Sequence, residues 1–148
     1  MNKFTKIELN NFKQLFQIVP NIEILDFNSS LKDITLTLNQ LVQDDFGTIT
    51  SLDTNDLQQI QPKLKKSNYD YVVISNFFTQ INSSKILFNI LSQSLRDSGY
   101  IIIIESKDTI LQDIYETFEQ YNFGSISKVD IFEKHNLLIA QKVHMWGM

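Results

Sequence analysis

The chain contains no cysteine. Disulfides, thiolate nucleophiles and Cys-ligated zinc or iron–sulfur sites are therefore excluded, and the absence fits a reducing, cytoplasmic setting. Arginine occurs once, as Arg96, and 13 Lys and Arg against 17 Asp and Glu leave a net charge of −4. No nucleic-acid partner is expected, because neutralising phosphates takes clustered basic side chains. Four glycines and two prolines are too few for a collagen-like or low-complexity chain. No apolar run approaches the roughly 18 residues of a membrane helix, so no membrane partner is expected. The longest run, Tyr100 to Ile104, is strand-sized. The opening MNKFTKIELN lacks the apolar centre of a signal peptide. Ala140 is the only alanine, and the wealth of Ile, Asn and Lys is read as coding bias from an AT-rich genome.

What is present is a chain of 148 residues, 43% of them hydrophobic. That suffices for one domain over 1–148 with its own core. Residues 4 to 19 carry Phe4, Ile7, Phe12, Leu15, Phe16 and Val19, mostly on one helical face, and Pro20 is expected to end this helix. An α/β core over 20–148 follows. Ile22 to Phe27 reads as a strand, and Ser29 or Ser30 is placed to cap the next helix. Leu31 to Val42 fits helical spacing at Leu31, Ile34, Leu38, Leu41 and Val42. Ile34, Leu36 and Leu38 also alternate like a strand; the helix covers more positions and is preferred. Asp44 to Gly47 is a turn and Thr48 to Leu52 a strand.

Tyr69 to Ser75 has the continuous apolar character of a central strand. A helix capped by Asn82 or Ser83 runs to about Arg96, with Ile86, Leu87, Ile90, Leu91 and Leu95 inward, and Gly99 ends it. Tyr100 to Glu105 is a further buried strand. Ile110 to Tyr121 is a helix stopped by Gly124. Ser125 to Phe132 and Leu137 to Val143 form a closing hairpin around Glu133 to Asn136. Strands alternating with helices imply a mainly parallel sheet, whose ligands bind beyond the carboxyl ends of the strands where strand order reverses. Asp26 to Ser30, Asp53, Ser75 to Phe78 and Glu105 to Asp108 lie on that edge.

The stretch YDYVVISNFFTQINSSKILFNILSQSLRDSGYIIIIES resembles the fourth strand, following helix, turn and fifth strand of class I S-adenosylmethionine-dependent methyltransferases. YNFGSISKVDIFEKHNLLIAQK resembles that family's closing hairpin with its antiparallel last strand. EILDFNSS resembles the family's glycine-rich first motif: Asp26 falls on the acidic position, and Asn28 and Ser30 stand where glycines are expected. Those glycines let backbone approach a cofactor closely, and Asn tolerates the left-handed conformations such a turn needs. The resemblance implies a three-layer Rossmann-like domain, reduced in size, with S-adenosylmethionine as cofactor and no metal. It implies a cofactor site at Asp26, Asn28, Ser30, Asp53, Ser75, Asn76 and Phe77. Asp53 matches the acid that binds the ribose hydroxyls at the end of the second strand. The interval from Asp53 to Tyr69 is short for the usual third strand. Thr48 to Leu52 could instead be that third strand, with Asp53 or Asp56 near the adenine.

Each candidate also has a plainer reading. Asp26 is a polar residue at a strand end, and Asp53 is a helix N-cap. Asn76 and Phe77 line a pocket; Ser75-Asn76-Phe77-Phe78 echoes the Asn-Pro-Pro-aromatic signature of amino-methylating relatives without its prolines. Glu105 is a base, or with Lys107 one of two solvated residues at a strand end, the latter preferred. His135 and His144 have no evident partner for metal or proton relay. The tail His144 to Met148 holds the only tryptophan, Trp146. Walker, nucleophile-elbow and His-Glu-x-x-His motifs are absent. A phospho-receiver ranks third, because Ser75-Asn76 lacks the phosphorylatable Asp. Two functions remain: a methyltransferase acting on a small acceptor, or a non-catalytic binding protein of that fold, acting as a homodimer or beside another protein, with Asn28 and Ser30 narrowing the pocket.

Overall fold

The computed structural model describes residues 4–27, 31–43, 46–52, 68–76, 85–109 and 111–143, with side chains from 88 onward in the third helix. The elements are α1 (Lys6–Lys13), β1 (Glu23–Phe27), α2 (Lys32–Val42), β2 (Thr48–Leu52), β3 (Tyr69–Ser75), α3 (Lys85–Ser94), β4 (Leu95–Ser106), α4 (Leu111–Gln120), β5 (Phe123–Lys128) and β6 (His135–Lys142). One six-stranded sheet has the order β2-β1-β3-β4-β6-β5. β2, β1, β3 and β4 are parallel, and β6 runs antiparallel to both β4 and β5. Tyr71 to Ser75 faces Tyr100 to Ile104 in register, so the two apolar runs are neighbouring parallel strands, as expected.

Strand alternation divides the core between the two faces of the sheet. Ile24, Val73, Ile102 and Leu137 face α1 and α2, meeting Phe12, Ile34 and Leu38. Leu25, Val72, Ile101, Ile103 and Leu138 face the other way, meeting Phe88, Leu91, Ile114 and Phe118. Burial on both faces is why β3 and β4 read as continuous apolar runs rather than alternating ones. The result is a three-layer α/β sandwich with an antiparallel closing hairpin.

Several local expectations need correction. α1 stops at Lys13, well before Pro20; Phe16 still packs on the sheet, but Ile7 is 73% exposed and Val19 41% exposed. A capping box starts this short helix, with Thr5 Oγ1 accepting from the Glu8 amide and Glu8 accepting from the Thr5 amide. The segment 32–42 is helix, as preferred, though its N-cap is Leu31, which has no side-chain oxygen; Ser29 and Ser30 lie outside the described residues. α3 ends at Ser94, and the largest apolar side chain it buries, Phe88, was not among those expected inward.

Leu95 to Gly99 does not simply terminate α3. Leu95 pairs with Tyr69 and Tyr100 with Tyr71, so four residues of β4 bulge opposite Asp70 alone. Ser98 takes a positive φ of 65° there. A Cβ on Gly99 would lie 3.0 Å from the carbonyl oxygens of Asp70 and Arg96, which explains the glycine by close approach. α4 is ended by Asn122, at φ 64°, with Gly124 already inside β5. The final hairpin begins two residues earlier on each strand than expected. Asn82, Ser83, Ile110 and the tail from His144 lie outside the described residues.

Candidate functional site

Strand order reverses between β1 and β3, since the chain passes from β1 outward to β2 and then back across to β3. The crevice beyond their carboxyl ends is where open α/β sheets take ligands. β2 pairs directly with β1, the position of a second strand in a doubly wound sheet. That settles the placement of Thr48 to Leu52: it is not a third strand.

Asp26 stands on β1 beside Ser51 of β2 and Val73 of β3. Alternation turns its side chain to the α2 face, where it is wholly buried. Its Oδ2 accepts from Thr35 Oγ1 at 2.6 Å and from Ser51 Oγ at 3.3 Å. Its Oδ1 is buried and has no hydrogen-bond partner among the described residues. Burial pushes the carboxyl above its usual range, against the pull of the Thr35 and Ser51 hydroxyls. Neither hydroxyl was singled out from the sequence. The available signal was weak: a serine near the end of β2, and a threonine one turn into α2.

Ser75 ends β3 and is 1% exposed. Asn76 follows at φ 56°, 8% exposed, with its amide donating to the Ile104 carbonyl at 2.9 Å. Asn accepts this left-handed conformation at lower cost than most residues, so the strand can turn sharply here while staying tied to β4. Asn28, Ser30, Asp53 and Phe77 lie outside the described residues. Of the seven expected site residues, Asp26, Ser75 and Asn76 are therefore placed, all on the carboxyl edge at the reversal of strand order.

At the end of β4 the solvated reading of Glu105 fails: it is 1% exposed, opposite buried Asn136 of β6. Lys107, two residues on, is exposed. His135 is not in a hairpin turn but opens β6 opposite Ser106, with the Phe4 ring tilted against it at a centroid distance of 5.2 Å. Among the described residues no group of His, Cys, Asp or Glu is arranged to hold a metal, and no helix is long and apolar enough to cross a membrane. A cavity of about 330 Å³ lies between α1 and α2, lined by helical side chains such as Lys6, Lys13, Asp33 and Gln40; no strand contributes to it.

No protein-family model matches the sequence, and no curated protein does. Solved structures do. A SAM-dependent methyltransferase from Aquifex aeolicus superposes with a TM-score of 0.72 at 11% identity, over 93% of this chain and 90% of that one. The chain has the class I methyltransferase fold. Precorrin-6y C5,15-methyltransferase from Geobacter metallireducens matches with a TM-score of 0.67 at 10% identity, over 92% of this chain and 87% of that one. Phosphoethanolamine N-methyltransferase 2 of Haemonchus contortus was solved with phosphomonomethylethanolamine and S-adenosylhomocysteine. It matches with a TM-score of 0.67 at 13% identity, over 93% of this chain but 52% of that one.

The cofactor that the resemblance implies for this fold is a sulfonium nucleoside. The cofactor's amino-acid end carries an ammonium, and the Asp26 Oδ1 atom is an acceptor without a donor among the described residues, beside the first strand-to-helix turn. A donor there would satisfy a buried oxygen whose desolvation is otherwise uncompensated. Asp26 is compatible with that ammonium; Asn28, Ser30, Asp53 and Phe77, which the resemblance also implies, lie outside the described residues.

Proposed function

We propose that the protein is an S-adenosylmethionine-dependent methyltransferase acting on a small acceptor. The observation that carries this reading is the buried carboxylate of Asp26, one of whose oxygens has no partner among the described residues, at the strand-order reversal of a methyltransferase fold. The cofactor, when bound, supplies an electrophilic methyl group. The chain's own work is then to bind and orient. Asp26 accepts from the cofactor's ammonium, and Asn28 and Ser30 serve its amino-acid end. Asp53 accepts from the ribose hydroxyls. Ser75, Asn76 and Phe77 wall the side on which the acceptor approaches. Positioning at close range lowers the barrier without a dedicated base when the acceptor is already nucleophilic.

A second reading is favoured by the other oxygen of the same carboxylate. Asp26 Oδ2 already joins β1 to Thr35 of α2 and Ser51 of β2, so Asp26 also acts as a strut. In a non-catalytic binding protein of this fold that role alone would retain it. Calorimetric titration with S-adenosylhomocysteine separates the two. A dissociation constant in the micromolar range supports the enzyme; binding weaker than about 1 mM, some −4 kcal/mol, leaves the binding protein as the reading.

A further inference from the structure

α1 runs from the carboxyl edge of the sheet to its amino edge. Beyond its far end Phe16 packs on Tyr71 near the start of β3, and the Gln17 amide donates to the Tyr71 hydroxyl. Its first turn sits beside the end of β4, because His135 is the register partner of Ser106. Three contacts hold that turn. Glu8 accepts from the Thr5 amide through one oxygen and, through the other, from the Glu133 amide at 2.7 Å, a bond spanning the sequence from α1 to the loop before β6. The Phe4 ring lies 4.6 Å from Phe132 and 5.2 Å from His135. The Nδ1 atom of His135 is buried and has no hydrogen-bond partner among the described residues.

We propose that the first turn of α1 is an acid-releasable strap at the carboxyl edge, latched by Glu8 on the Glu133 amide and by Phe4 on Phe132 and His135, with His135 as its proton-sensing member. In the imidazolium both ring nitrogens are donors, so the enclosed Nδ1 would carry an N–H with no acceptor among the described residues. Both oxygens of the Glu8 carboxylate, which acts on the ring, already accept backbone amides. Detaching Phe4 lets water reach the ring and removes that penalty.

Among the described residues the charged groups around the ring are few. Glu8 from α1 favours the imidazolium, Lys107 from the turn after β4 opposes it, and Glu133 and Lys134 precede it in the chain. Burial outweighs them and holds His135 below its ordinary value, with Glu8 pulling up and Lys107 pushing down. The latched state therefore prefers neutral His135. Latch stability is full above the ordinary histidine value of about 6.5 and declines as pH falls below it. Glu8, held low mainly by the Thr5 and Glu133 amides, loses its contribution only at still lower pH.

The test is residue-resolved hydrogen exchange on the full chain, expressed as protection factors at the Leu9 and Glu133 amides. Between about pH 8 and about pH 5.5, protection is expected to fall on the order of threefold or more, with β3 amides unchanged. His135→Phe keeps a ring for Phe4 and should abolish the step; His135→Gln, smaller and polar, should abolish it too. Glu8→Gln should lower protection at both pH values and keep the step. A wild-type chain without the step, a step that survives in either His135 variant, or a loss shared by the β3 amides would each overturn the strap. None of these readouts involves the cofactor, so they stand or fall apart from the methyltransferase reading.

Discussion

At the amino ends of the parallel strands, side chains close on backbone. Asp70 accepts the Glu23 amide at 2.8 Å and pairs with Arg96 at 2.6 Å, and Asn68 donates to Glu23. Lys142 donates to the carbonyls of Ser92 in α3 and Leu95 at the start of β4, although burial lowers its tendency to hold a proton. At the carboxyl ends the polar groups lie deeper. Asp26, Ser75, Asn76, Glu105 and Asn136 are all buried, and Asp26 keeps an oxygen with no partner among the described residues. The first edge is what a sheet needs to stay together. The second carries a desolvation cost that the described side chains leave unmet at Asp26 Oδ1.

Four substitutions can break or sharpen that contrast. The largest effect is expected from Asp26→Asn. It keeps an acceptor for Thr35 and Ser51 but removes the charge that would meet an ammonium. The affinity for S-adenosylhomocysteine should fall tenfold or more, a loss of about 1.5–3 kcal/mol, read by calorimetry. Asp26 also has a pH signature. Because burial raises its folded-state value, its contribution to stability is most favourable below the ordinary carboxylate value of about 3.9. That contribution is lost as pH rises through the raised one. Urea midpoints should show this slope in the wild type and not in Asp26→Asn. Equal slopes would mean that the carboxylate is not desolvated as described.

Gly99→Ala, on the amino edge, should cost about 1–3 kcal/mol, since the new Cβ meets two carbonyl oxygens that the bulge holds in place. Asp70→Ala should cost about 1–2 kcal/mol by stranding the Glu23 amide, with cofactor affinity unchanged. An affinity loss there would erase the distinction between the edges. The smallest effect is Lys142→Met, about 1 kcal/mol in urea unfolding, because the carbonyls of Ser92 and Leu95 lose a donor that water can partly replace.

Much of the fold was legible in the sequence, and for local reasons. β3 and β4 announce themselves through Tyr71 to Ile74 and Tyr100 to Ile104, because strands buried on both faces are apolar at successive positions. The helix at 32–42 emerged from spacing, against a competing alternation at Ile34, Leu36 and Leu38. The ends of elements were less legible. α1 was expected to reach Pro20, yet the chain leaves the helix at Lys13 to bring Phe16 onto Tyr71, and no local signal marks that preference. The bulge from Leu95 to Gly99 read as a simple helix stop because its geometry is set by Asp70 on another strand.

The site divides in the same way. That Asp26, Ser75 and Asn76 share one edge was legible because strand ends in an alternating α/β pattern fall together. Their surroundings were not. Thr35 and Ser51 reach Asp26 only through the packing of α2 and the register of β2. Glu105 read as solvated until β6 placed Asn136 opposite it, and His135 read as a turn residue until Phe4 covered it. By itself the sequence determined the element types, the parallel core and the edge that carries polar groups, because periodicity and chain order act locally. Only the tertiary structure decided which of those polar groups lose their water, because desolvation depends on neighbours that the chain brings from far away.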